Sequence, residues 1–183
     1  LLDLHRVERR QRQICIRDSL YAVQPTAVRS ETPFRQATRA DRHGIFRLYC
    51  RAVPEMVRRH EAPTQQDWRA VLDSFECTHG YVLDGPAGFS AWVGAGEREN
   101  HILIDDPDDA VVQAALDLVE LRSPRHGTLV VAEHQFPVES AAIARGYTAM
   151  GVRLMCCLLY TSDAADDLPC VDLGGRRTLQ KKQ

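Results

Sequence analysis

A carboxylate and an imidazole stand side by side at Glu133-His134, directly after Thr128-Leu129-Val130-Val131-Ala132, a run that reads as a buried strand. A base held at the end of a strand can take a proton from a substrate; the plainer alternative is the exposed start of a loop. A second concentration is Asp105-Asp106-Pro107-Asp108-Asp109-Ala110-Val111, four carboxylates around a proline where a helix opens. Acids at a helix start stabilise it by about 0.3–1 kcal/mol each, and carboxylates in this number also suit a divalent cation. His43, His60 and His79 have no carboxylate or cysteine at ligand spacing, so no metal centre is expected. His101 sits at a strand edge and reads as a sheet residue. Tyr81, Tyr147 and Trp92 read as packing residues, and Trp92 has the alternative of walling a substrate pocket.

These groups need positioning. Phe34-Arg35-Gln36-Ala37 reads as a short strand, and Thr38-Arg39-Ala40-Asp41 as a capping box. Ile45, Leu48, Tyr49 and Ala52 follow at helical spacing until Pro54. Thr64-Gln65-Gln66-Asp67 repeats the cap ahead of Trp68, Val71, Leu72 and Phe75. The chain then changes period. Tyr81–Leu83, Gly88–Val93 and His101–Ile104 read as three strands of an antiparallel meander, with turns at Asp84-Gly85-Pro86 and Gly94-Ala95-Gly96. Pro107 is expected at the first position of a helix carrying Val111, Ala115, Leu118 and Val119. Val138–Ala144 forms a short helix stopped by Gly146, and Tyr147–Cys156 forms one or two closing strands. Ser19 to Thr32 shows no period and reads as a loose lead-in.

Both ends read as foreign to this fold. Cys157 to Asp166 back-translates as TGTCTCTTATACACATCTGACGCTGCCGAC, which resembles the adapter of a transposase-based sequencing library. The opposite strand, extended by two bases, encodes Arg-Arg-Gln-Arg-Gln-Met-Cys-Ile-Arg-Asp, and the chain reads Arg9-Arg10-Gln11-Arg12-Gln13-Ile14-Cys15-Ile16-Arg17-Asp18. Folding gives no reason for two protein segments to be related through opposite DNA strands. The alternative, a basic arm for nucleic acid, leaves that relation unexplained. Residues 1–18 and 157–183 are therefore expected to be adapter-derived and are set aside, leaving 19–156 as one native domain, cut at both ends. The two lysines, Lys181 and Lys182, both fall in the excluded tail.

The full chain carries a net charge of −2; residues 19–156 hold 14 arginines against 18 acidic residues. A mildly acidic domain without lysine is a poor nucleic-acid binder, and no apolar run has the roughly 20 residues of a membrane span. Cys50, Cys77 and Cys156 are scattered, with neither disulfide nor metal spacing, as in a reduced, cytoplasmic protein.

The order of elements resembles the GNAT superfamily of acyl-CoA-dependent N-acyltransferases. The likeness is carried by Phe34 to Asp41, by Gly88-Phe89-Ser90-Ala91-Trp92-Val93, and by Ala144-Arg145-Gly146-Tyr147 followed by Met150-Gly151 and Leu154-Met155. The resemblance implies an α/β, GNAT-like fold, a mixed and partly splayed sheet flanked by helices. It implies acetyl-CoA held where two strands part, against Ile102, Leu103 and Ile104 and, by position, at the helix start Asp109, Ala110 and Val111. It also implies transfer of an acyl group to a small-molecule or protein amine, with Glu133 and His134 as the candidate catalytic base pair. The chain departs from the family in two places. No glycine lies between Ile104 and Gly127, where a glycine-rich turn would cradle the pyrophosphate. Ala142 stands where the family commonly places a tyrosine acid, with Tyr147 and Tyr81 as the alternative candidates for that role, and Phe136 and Val138 replace the usual asparagine and small residue. Two functions therefore stay open: an N-acyltransferase, or a catalytically degenerate GNAT-like domain with a structural or ligand-sensing role. The second includes an arrangement in which the domain is one half of a tandem protein with a second GNAT-like domain. No metal, membrane or nucleic-acid partner is expected.

Overall fold

The computed structural model describes residues 12–24, 31–75, 77–123 and 127–159, with side chains between 17 and 154. In chain order it holds β1 (Arg12–Ala22), β2 (Arg35–Gln36), α1 (Arg42–Ala52), α2 (Glu55–Glu61), α3 (Gln65–Ser74), β3 (Cys77–Gly85), β4 (Gly88–Gly96), β5 (Glu99–Ile104), α4 (Asp109–Arg122), β6 (Thr128–Ala132), α5 (Phe136–Ala144) and β7 (Thr148–Leu159). Residues Cys15–Met155 form one compact unit. Most of the two segments read as adapter-derived, and the side chain of Cys156, lie outside the described residues.

Seven strands make one mixed sheet in the order β2-β3-β4-β5-β6-β1-β7. The neighbours β2/β3, β3/β4, β4/β5 and β1/β6 are antiparallel, whereas β5 and β6 are parallel. That one parallel pair requires a crossover, which α4 supplies. Side chains alternate between the two faces of the sheet. Tyr81, Ala91, Val93, Ile102, Ile104, Leu129 and Val131 meet Leu116, Val119, Val138 and Ala142 of α4 and α5. Val82, Trp92 and Leu103 point the other way, onto Ile45, Leu48, Tyr49 and Trp68 of α1 and α3. This is the helix-flanked mixed α/β sheet that the resemblance implied.

Several local expectations need correction. Ser19–Ala22 is not a loose lead-in but the paired half of β1, running from Asp18 opposite Ala132 to Ala22 opposite Thr128. Its burial comes from β6, more than a hundred residues away, so no local period announces it. A helix, α2, follows Pro54 where none was foreseen. None of its residues is buried, so it has no apolar stripe to read. Gly94-Ala95-Gly96 lies inside β4, and the turn comes at Glu97-Arg98. Glycine is required at position 94 because a Cβ there would stand 2.5 Å from the Trp92 ring and 2.9 Å from Cys77 Sγ. Pro107 precedes α4 rather than opening it, and Asp108 is the N-cap. The Thr64 cap closes in both directions, Asp67 accepting from Thr64 N at 3.0 Å and Asp67 N donating to Thr64 Oγ1 at 3.2 Å. At Thr38, ahead of the 3-10 turn that leads into α1, only the acid's half forms, Asp41 accepting from Thr38 N at 2.7 Å.

Candidate functional site

β5 and β6 begin side by side and then part. Their pairing covers Glu99/Thr128, Asn100/Leu129 and His101/Val130, while β6 stays on β1 as far as Ala132. Ile104 is left with a backbone N–H and C=O facing the gap. Gln135, buried in the one-turn 3-10 segment 133–135 after β6, fills it. The Ile104 N–H donates to Gln135 Oε1 at 3.0 Å, and Gln135 Nε2 donates to the Ile104 carbonyl at 3.1 Å. A single carboxamide thus does for Ile104 what a neighbouring strand would do, since buried peptide groups must be paired.

Beside this plug lies a small cavity of about 70 Å³ where Asp18, Tyr49, Glu61, His101, His134 and Gln135 meet apolar neighbours such as Trp68, Phe75 and Trp92. That is room for two or so water molecules at about 30 Å³ each, and far less than a ligand pocket of roughly 300–1,000 Å³. The Tyr49 hydroxyl donates to Glu61 Oε2 at 3.0 Å. Burial pushes the carboxyls of Glu61 and Asp18 above their ordinary range, and burial pushes the Tyr49 phenol up as well. His101 stacks on Phe75 at 3.9 Å between ring centroids. Its Nε2 has no hydrogen bond among the described residues; Glu99 Oε2 stands 3.4 Å away, outside bonding geometry. Glu99 instead pairs with Arg153. Burial lowers the His101 pKa to about 4, against the opposing pull of Glu99.

That neutral, buried imidazole makes acid stability measurable. Between pH 6.5 and 4 the unfolded chain takes up a proton that folded His101 resists, so stability falls as pH drops through this window. A shift of this size corresponds to at most about 3 kcal/mol. Asp18 and Glu61, whose pKa values are raised, act in the opposite sense, so the readout is a difference. Urea denaturation of His101→Gln is expected to show a flatter stability profile than the wild type between pH 4 and 6.5. Parallel profiles would mean that the imidazole is not held neutral.

The residues read from the sequence fall in separate surroundings. His134 lines the small cavity and is held low in pKa by burial, but Glu133 is exposed. The two are chain neighbours without converging on one space of substrate size. Ile102, Leu103 and Ile104 are buried on β5, while Asp109 and Ala110 are exposed and Val111 half-buried at the start of α4. Ala142 is fully buried against the sheet. The Tyr147 hydroxyl donates to buried Glu120 at 3.0 Å, and burial with that carboxylate pushes its pKa up, so it is a packing residue. Tyr81 is buried in the same core, with the Arg122 guanidinium 5.2 Å from its ring centre.

The acidic run does not form a cluster. Asp105 pairs with Arg51 at 2.5 Å, and Arg51 also donates to the Phe89 carbonyl at 2.8 Å, which ties the end of β5 to α1 and β4. Asp109 accepts from Gln113 within its own helix at 3.3 Å. Asp106, Asp108 and Asp109 face solvent, with the helix dipole as their stabilising partner. Among the described residues no three histidines, cysteines or acids converge as metal ligands, and no helix is long and apolar enough to cross a membrane. Sequence reasoning missed Gln135 and the Tyr49–Glu61 pair. Gln135 carries no motif, and the second pair needs α2, which leaves no apolar pattern.

Fold and site together define a mixed α/β domain whose central strands part around a glutamine. No family model matches the chain, and no curated protein matches it. It is similar in structure to a functionally unknown conserved protein from Staphylococcus epidermidis, with 9% identity, 79% of this chain and 62% of that chain covered, and a TM-score of 0.50. It is also similar to Saccharomyces cerevisiae N-myristoyltransferase with bound myristoyl-CoA, with 12% identity, 79% and 47% covered, and a TM-score of 0.41. The chain therefore spans about six tenths of the first structure and under half of the second. The first likeness bears on fold alone, and the second is too loose to bear on fold or chemistry.

Proposed function

We propose that residues 19–156 are a GNAT-like domain whose acyl-CoA cleft is closed by its own Gln135, with a structural or ligand-sensing role in place of N-acyl transfer. The observation that carries this reading is the pair of hydrogen bonds from one carboxamide to both backbone groups of Ile104. They occupy the parting where the resemblance puts acetyl-CoA, and about 70 Å³ is left beside them. Three further features support it. The turn after β5 carries exposed carboxylates and no glycine, Ala142 replaces a catalytic tyrosine, and Tyr147 is tied to Glu120. The tandem arrangement, in which a second GNAT-like domain keeps the chemistry, belongs to this reading, as does a cytoplasmic setting. The bounds 19–156 rest on the strand relation between the two ends; β1 and β7 run across both junctions, and Asp18 pairs with Ala132.

The second reading, N-acyl transfer from acetyl-CoA to an amine with Glu133 and His134 as bases, is favoured by the parting of β5 and β6 itself. Calorimetric titration of acetyl-CoA into the full chain, with and without magnesium, separates the two. No saturable heat is expected in either condition. Micromolar binding, about −8 kcal/mol, would overturn the closed-cleft reading and call for an amine screen.

A further inference from the structure

A groove of about 780 Å³ runs over α1 and α3, away from the Gln135 plug. Its volume falls in the range of small-molecule sites, roughly 300–1,000 Å³. Its apolar side is made by Ile45, Trp68, Leu72 and Trp92, and its cationic side by Arg39 and Arg42. The two arginines are three residues apart where the 3-10 turn runs into α1, the spacing that puts side chains on one face. The acids that would ordinarily neutralise them are already engaged. Asp41 takes a two-pronged bond from Arg35 (2.9 and 2.8 Å) and caps Thr38, and Asp67 caps Thr64 at 2.6 Å. Asp73 stands across from Arg69 at 4.0 Å. Among the described residues Arg39 and Arg42 have no hydrogen-bond or ion partner. Trp68, which lines the groove, is 95% buried with an indole N–H that has no acceptor among the described residues. A buried donor is normally paired.

We infer that this groove binds an amphipathic carboxylate, its apolar body on Trp68 and Trp92 and its head group on Arg39 and Arg42. Guanidinium and carboxylate match in charge and planar geometry, so two adjacent arginines select a carboxylate over an ammonium or a neutral amide. The groove shares Trp68 and Trp92 with the cavity beside the plug, but its head-group side, Arg39 and Arg42, is separate from Gln135 and from the β5/β6 parting. It gives the ligand-sensing role a chemical class, and it stands whether or not acyl-CoA binds elsewhere.

The chain has two tryptophans, and both line this groove; because both also touch the small cavity beside Gln135, the arginine variant below assigns the fluorescence response to the groove. Octanoate at millimolar concentration is expected to change the emission of the full chain saturably, while octanamide and octylammonium leave it unchanged. Replacing both arginines (Arg39→Ala with Arg42→Ala) is expected to weaken octanoate by about tenfold or more, 1.4 kcal/mol per decade. Both side chains are exposed, so the fold is retained. Arg47→Ala, an exposed position on α1 outside the groove, is expected to bind as the wild type does. The inference is overturned by equal saturation with octylammonium or octanamide, by wild-type affinity in the double variant, or by no saturable response to octanoate. Acetyl-CoA calorimetry on the same protein reads the other cleft, so either result can fail without the other.

Discussion

Replacing Arg145 by methionine is expected to cost about 3–5 kcal/mol of stability, the penalty for stranding a buried charge. Arg145 follows α5, and its guanidinium meets Asp117 at 2.8 Å, Glu120 at 3.1 Å and the Gln113 carbonyl at 3.0 Å, all on α4. The Glu120 side chain is 3% exposed and also accepts the Tyr147 hydroxyl. Methionine keeps most of the aliphatic bulk and removes the charge, so Glu120 keeps its burial and loses its main cation. Urea denaturation near neutral pH measures the effect. A loss below about 1 kcal/mol, the range of an exposed pair, would show that solvent compensates Glu120. Combining Arg145→Met with Glu120→Gln is expected to recover part of the loss, because the stranded charge is then gone.

Gln135→Ala is expected to cost about 2–4 kcal/mol, since two buried backbone groups lose partners at about 1–3 kcal/mol each. The loss should be localised. The Ile104 amide, whose proton Gln135 Oε1 accepts, is expected to exchange slowly in the wild type and much faster in the variant. Gln135→Glu separates pairing from bulk. A carboxylate accepts from the Ile104 N–H but has nothing to donate to its carbonyl, so this variant should remain destabilised near neutral pH and recover on acidification. Wild-type stability and exchange in Gln135→Ala would mean that the parting of β5 and β6 is held by other contacts, and the closed-cleft reading would lose its support.

What the sequence determined and what it did not divide along range. Local signals were sufficient for α1 and α3, whose threonine caps and apolar faces lie within one turn of each other. They were also sufficient for the β3–β4–β5 meander, with its strand residues and the turn at Pro86, and for the Gly146 stop, where the backbone takes φ +85°. Each is a contest between a residue and its near neighbours, settled by dihedral preference and hydrogen-bond supply. The acidic opening of α4 was legible for the same reason, although the helix begins past Pro107.

Tertiary structure alone decided the rest. Ser19–Ala22 becomes a strand because β6 offers an edge, and α2 is held by half-buried residues such as Val57 and Glu61, with none fully buried. Glu133 and His134, adjacent in sequence, end in different surroundings because the 3-10 turn points one to solvent and the other inward. Gln135 looked like any exposed glutamine until β5 and β6 parted and left Ile104 unpaired. The demand that buried peptide groups be satisfied arises only when strands distant in sequence are brought together, so no reading of neighbouring residues can contain it.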